Sequence, residues 1–170
     1  MEGHDIGIYY EFDSRFGSFD MRYVGSFLDT YDQEAGGFAS ELVNAKAAGT
    51  LPESLPVVGF SSLVQQNGNP ERKDTLRASW SKGDWGANAT ALRYGDFFQV
   101  LSDGRNWAIS SMTTMNVSLD YDLTLFGSID SRVRFGANNV TDERAPLADD
   151  SFGYFADQHS DLGRFYYVDL

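Results

Sequence analysis

The sequence predicts an all-β fold, an antiparallel meander of about seven long strands. Three observations predict it. Apolar and polar residues alternate with a period of two through most of the chain, the signature of strands with one apolar face. Helical periodicity is nearly absent. The connections alternate between tight turns and long polar loops.

The first strand runs over residues 3–14, with Ile6, Ile8, Tyr10 and Phe12 on one face. Ser14-Arg15-Phe16-Gly17 turns the chain. Residues 18–30 return with Phe19, Met21, Tyr23, Gly25 and Phe27 opposed to Asp20, Arg22, Val24 and Ser26, which makes a hairpin. From Tyr31 to Lys73 the period is lost. That stretch holds Gly36-Gly37, the prolines Pro52, Pro56 and Pro70, and Asn67-Gly68-Asn69. A loop of this length is usually functional or disordered. Within it Ser40 to Ala48 reads as a short helix.

A second hairpin follows. Leu76, Ala78 and Trp80 alternate with Thr75, Arg77, Ser79 and Ser81, and Lys82-Gly83-Asp84 forms the turn. Trp85, Ala87, Ala89 and Ala91 begin the return strand, whose phase slips at Leu92-Arg93-Tyr94 as a bulge would make it slip. Gly95 to Ser111 reads as a shorter loop. Met115, Val117, Leu119, Tyr121 and Leu123 then oppose Asn116, Ser118, Asp120 and Asp122, a fully apolar face against a fully polar one. After a turn at Phe126-Gly127-Ser128, Val133, Phe135 and Ala137 continue the pattern against Arg132, Arg134, Gly136 and Asn138. A polar loop from Thr141 to Leu162 leads to a last strand, Gly163 to Leu170.

Composition narrows the class. The chain has 170 residues, no cysteine and a formal net charge of −12. Nucleic acid is therefore not an expected partner, because phosphate binding needs a basic surface. No disulfide or thiolate metal site is available. Aromatic residues make up 15 % of the chain, which argues against disorder. The mean hydropathy of −0.36 does not imply solubility. A membrane barrel alternates lipid-facing apolar with lumen-facing polar residues, so its mean stays low. The start, MEGHDIGI, has neither the basic region nor the apolar core of a signal peptide.

The strands read as roughly 9 to 12 residues, near the 9 to 11 that cross a bilayer with tilt. Short turns at one end and long loops at the other are the arrangement of outer-membrane barrels. Val117, Leu119, Tyr121, Val133 and Phe135 are then expected on the convex, lipid-facing side. Trp80 and Trp85 flank one short turn, and Tyr23, Tyr94 and Tyr166 lie towards the opposite strand ends, as aromatic girdles do.

The runs NPERKDTLRASWSKGDWGANATALRY, MNVSLDYDL, RVRFGANNVTDERAP and GRFYYVDL, in this order, resemble the C-terminal barrel strands of TonB-dependent outer-membrane receptors. In that family a strand of the RVRFGANN type ends in an Asn-hydrophobic-x-Asp stop, matched here by Asn139-Val140-Thr141-Asp142. An extracellular loop follows, then a Gly-Arg-aromatic entry to the last strand, matched by Gly163-Arg164-Phe165. The resemblance covers roughly residues 67–170, and the first hairpin by pattern alone. It implies that the chain is part of a large transmembrane β-barrel, a C-terminal fragment without the plug domain and the N-terminal strands. Such transporters have 22 strands around a plugged lumen. The resemblance further implies import of a scarce bulky nutrient, such as an iron chelate, cobalamin or a glycan. The energy would come from the periplasmic TonB protein acting through the plug. Outer-membrane lipid and a small-molecule or glycan substrate are the partners it implies. A passive porin-like barrel and a soluble β-sandwich binding module stand as alternatives.

No catalytic constellation is present, so neither an enzyme nor a cofactor is expected. Asp157, His159 and Asp161, with Asp149 and Asp150, have oxygen-rich chemistry that suits calcium, but a solvated loop accounts for them and no metal site is assigned. His4 stands alone. Asn116, Ser118, Asp120 and Asp122 are expected to face water or the plug. Three matches to the glycosylation pattern, at Asn88, Asn116 and Asn139, sit on or beside strands and are set aside. Ligand contact is expected in the loop between Tyr31 and Lys73.

Overall fold

A computed structural model of the chain describes residues 1–55, 57 and 61–170. Its elements are β1 (Glu2–Ser14), β2 (Gly17–Thr30), α1 (Phe38–Ala47), β3 (Arg72–Lys82), β4 (Trp85–Tyr94), β5 (Phe97–Val100), β6 (Asn106–Ile109), β7 (Met112–Leu125), β8 (Ile129–Asn138) and β9 (Phe165–Asp169). Seven of them form one antiparallel sheet in the order β1-β2-β3-β4-β7-β8-β9, and β5 pairs with β6 as a separate hairpin. The expected meander of seven strands is therefore present. The last strand is shorter than expected, and α1 starts two residues earlier than the sequence pattern indicated.

Register keeps each face chemically uniform across the sheet. One cross-strand row runs Phe12, Phe19, Trp80, Ala87, Leu119, Phe135 and Val168. The next runs Tyr10, Met21, Ala78, Ala89, Val117, Ala137 and Tyr166. Between them on the opposite face lies Glu11, Asp20, Ser79, Asn88, Ser118, Gly136 and Tyr167. Because side chains alternate with a period of two, a slip of one residue anywhere would mix these rows. The apolar face is uncovered. Leu119 is 42 % exposed and Phe135 55 %, with Ile8, Leu76 and Val168 likewise exposed.

All three tight connections, Ser14 to Gly17, Lys82 to Trp85 and Leu125 to Ile129, lie at one end of the sheet, and the three long ones lie at the other. Adjacent turns are tied together at the short-turn end. The Trp80 indole donates to the Phe16 carbonyl at 2.8 Å, and Lys82 donates to the Arg15 carbonyl at 3.1 Å. Gly17 has φ +124°, and a Cβ there would lie 2.3 Å from the Ser81 carbonyl oxygen, so only glycine fits beside β3.

The sheet corrects the expected bulge at Leu92-Arg93-Tyr94. β4 pairs with β3 and β7 without interruption through Tyr94. What changes there is the chemistry of the faces. Arg93 continues the apolar face, where it meets Asp74 on β3, and Leu92 and Tyr94 continue the polar face beneath the long loops. The phase slip marks the point where the polar face becomes covered and the apolar face becomes charged. Tyr94 is thereby removed from the expected girdle, since it points to the loop side and packs edge-on to His159.

The expected loop from Gly95 to Ser111 contains the β5–β6 hairpin. Phe97 and Ile109, register partners there, are the two fully buried large side chains among the described residues. With Ala148 and Phe155 they form a small core among the loops rather than on the sheet.

Candidate functional site

Two regions are able to meet a ligand: the polar face of the sheet and the loop assembly above it. The polar face begins with the alternating residues of β7. Asp120 is 6 % exposed, accepts from the Asn88 side chain at 2.9 Å and pairs with Arg134, its direct cross-strand neighbour. Asp122 pairs with Arg132 at 2.5 Å, again across one register position. Asp20 and Arg22 pair along β2 at 2.9 Å. Opposite charges facing each other across strands stabilise a sheet modestly, by about 0.2–1 kcal/mol per pair. This face lines an open cavity of about 890 Å³, with Glu11, Asp20, Arg22, Asn88, Asp120 and Arg134 among its walls. Asp20, Asp120 and Asp122 are each matched to an arginine. The surface offers hydrogen bonds to a solute or to another protein surface.

The loop from Tyr31 to Lys73 divides into two parts. Pro56, Val58, Gly59 and Phe60 lie outside the described residues. The first part carries α1, with Glu41 in its first turn and Lys46 in its last, the polarity that complements the helix dipole. Gly49, at φ +71°, ends it. Lys46 then gathers the carbonyls of Pro52, Glu53 and Leu55 at 2.8–2.9 Å. A cavity of about 430 Å³ lies beside α1, lined by Asp32, Glu34, Ser40, Asn44 and Ser62 among others. The second part docks onto the hairpin. Phe98 donates to the Gln65 carbonyl at 2.7 Å, Asn67 to the Phe98 carbonyl at 2.8 Å, and Val100 to the Asn67 side chain at 2.9 Å. Gln99 holds the third loop by two bonds to the Asp149 backbone. The three long loops thus form one packed cap, and its cohesion was not visible in the sequence.

The Asn139-Val140-Thr141-Asp142 stop is a clamp. Asn139 is 6 % exposed at φ +48°. Its side-chain amide donates to the carbonyls of Glu143 and Leu162 at 2.8 and 3.1 Å and accepts from the Glu143 N–H at 2.9 Å. Asp142 accepts from the Arg164 N–H at 2.8 Å. Together they fix the exit of β8 to the entry of β9 across the whole intervening loop. Replacing Asn139 with alanine leaves these partly buried backbone groups without their partner, at up to about 1–3 kcal/mol for each group. The expected outcome for Asn139→Ala is a loss of about 2–4 kcal/mol, read by denaturant titration, with new protease cleavage in residues 143–162. Unchanged stability would mean that the motif does not hold the strand.

The residues considered for a cation do not converge. Asp161 bonds to Arg144 and to the Ala145 N–H, and His159 turns inward. Among the described residues no group of three or more acidic, His or Cys side chains is placed to hold a metal ion. Asn88, Asn116 and Asn139 all spend their side chains on internal hydrogen bonds.

The sequence places His159 in a polar loop, beside the carboxylates considered for a cation. It is 5 % exposed, with its ring stacked on Phe97 at 5.8 Å and edge-on to Tyr94 at 6.1 Å. Neither ring nitrogen finds a hydrogen-bond partner among the described residues. Burial holds its pKa below the usual imidazole value. The unfolded loop therefore binds the proton more readily, and cap stability is full above pH ~6.5 and falls as the pH drops below it. Trp107 fluorescence or proteolysis of the loops should show the cap loosening in mild acid. In His159→Phe that loss should disappear; an unchanged acid response would place it elsewhere.

Comparison with protein-family models, with curated proteins and with solved structures gives no match to this chain.

Proposed function

We propose that this chain forms part of the wall of a large transmembrane β-barrel in a bacterial outer membrane. In this reading the barrel is an active transporter that imports a scarce, bulky nutrient with energy supplied through TonB. The observation that carries the reading is the uncovered apolar face. Six of the seven sheet strands have 10 to 14 residues with one apolar and one polar face, and nothing among the described residues packs on the apolar one. Water would penalise that surface, and hydrocarbon would not. Loops gathered at one end and tight turns at the other support the same orientation, with the cap outside the cell.

Transport by a TonB-dependent receptor, rather than passive flow, rests on the order and spacing of the strand motifs. In this reading the charged polar face meets a plug, and the part of the loop carrying α1 meets the nutrient. A soluble β-sandwich is disfavoured, because it would lay a second sheet on Leu119 and Phe135. The test is the full-length parent protein expressed in a Gram-negative host. Fractionation should place it in the outer membrane, and nutrient uptake should cease when TonB is deleted. Recovery as a soluble protein would end the membrane reading. Uptake that survives loss of TonB would leave a passive barrel.

A further inference from the structure

We propose that Arg72 and Arg93 form a binding site for the phosphate of an anionic membrane lipid, in the leaflet beside the long loops. The inference rests on the membrane reading above and adds a lipid partner to it. Both arginines lie on the apolar face, one and two rows beyond the row of Tyr23, Leu76, Ala91 and Met115. At this level the face changes from apolar to charged, as it must where a spanning strand leaves hydrocarbon for headgroups.

The two arginines share a single carboxylate. Arg72 pairs with Asp74 at 2.9 Å and Arg93 with the same carboxylate at 3.4 Å. Tyr23 also donates to Asp74, at 2.6 Å, and Arg72 donates to the Tyr23 hydroxyl at 3.1 Å. One carboxylate thus serves two guanidiniums and a phenol, and the next carboxylate on this face, Asp29, bonds to His4 at 2.8 Å rather than to either arginine. Among the described residues the ion pairs of both arginines go to Asp74 alone. A guanidinium has five N–H donors, so several remain on each to fork onto a phosphate. Arg72 lies over the Phe27 ring at 5.3 Å, which orients it without using those donors.

A lipid fits better than a free phosphate. The site opens onto Leu76 and Met115, both exposed, which give an acyl chain an apolar track directly below the phosphate. Free phosphate would gain only the spare guanidinium donors, without the apolar track, and would compete with water for them.

The test uses the full-length parent folded into phosphatidylcholine vesicles containing phosphatidylglycerol, then extracted in mild detergent. Retained lipid is read by native mass spectrometry. The wild type should keep phosphatidylglycerol over phosphatidylcholine by about fivefold, the value of one interfacial cation. Arg72→Gln/Arg93→Gln should lose that preference, and Arg105→Gln, a loop cation paired with Asp103, should keep it. Arg93→Gln alone leaves the Arg72–Asp74 pair intact and should show the same loss if the double variant fails to fold. A double variant that retains the anionic lipid like the wild type would overturn the proposal and leave the membrane reading standing. So would displacement of the lipid by excess inorganic phosphate. Failure of the parent to insert into vesicles would remove both.

Discussion

Expressed alone and without detergent, the 170-residue chain should aggregate rather than yield a monodisperse monomer. β1 pairs only with β2, so one edge of a 13-residue strand presents unpaired N–H and C=O groups. β9 leaves the other edge open, with Tyr166 and Val168 exposed beside it. Open edges of this kind template pairing with other chains. The apolar face adds a patch larger than the few hundred Å² that soluble monomers usually expose. Membrane insertion does not rescue an open sheet, because each unsatisfied backbone group in hydrocarbon costs several kcal/mol. Size-exclusion chromatography and thermal melting test this. A monomer with a cooperative melt would mean that the apolar face is buried in solution, and the wall reading would fall.

Within the full-length parent, Leu119→Arg is expected to lower stability by about 2–4 kcal/mol, the cost of a cation near the middle of the bilayer. Leu119 lies near the centre of β7 with its side chain among Ala87 and Phe135, away from both charged ends. The matched control is Ser79→Arg. Ser79 faces the polar side beside Asp20, its register partner, so a new cation there meets water and a carboxylate. Its cost should be within about 0.5 kcal/mol of zero, the range of surface changes. Denaturant titration of both variants in vesicles distinguishes them. Equal losses would mean that the two faces do not sit in different solvents.

Strand existence was legible because β7 alternates without exception from Met115 to Leu123, and register then follows from the need to keep its apolar side together. The bulge expected at Leu92 failed for an instructive reason. Alternation of apolar and polar residues holds only while each face keeps the same solvent, and along this strand the solvent on each face changes. The β5–β6 hairpin was not legible because its strands, FFQV and NWAI, are only four residues each and carry apolar residues on both sides, so no clean alternation shows. Asp103-Gly104 between those two runs was the available signal. The Asn139 clamp was recognised as a motif, but its work depends on Glu143 and Leu162, and Leu162 is far away in sequence. His159 could not have been read as buried, since its neighbours Tyr94 and Phe97 arrive from other elements.

Pairing between strands adjacent in the chain has a kinetic consequence. β1–β2, β3–β4 and β7–β8 are each joined by a tight turn, and such hairpins close in about 1–10 µs. Joining β2 to β3 instead requires closing a loop of about 40 residues, which costs roughly 2–3 kcal/mol more chain entropy than a two-residue turn. Assembly should therefore proceed as three preformed hairpins that dock, with the junctions β2–β3, β4–β7 and β8–β9 as the slow steps. Those three junctions are spanned by the loops that pack around Phe97 and Ile109. Early collapse of that small core would shorten every long closure at once, giving the loop cap a part in how fast the sheet is built.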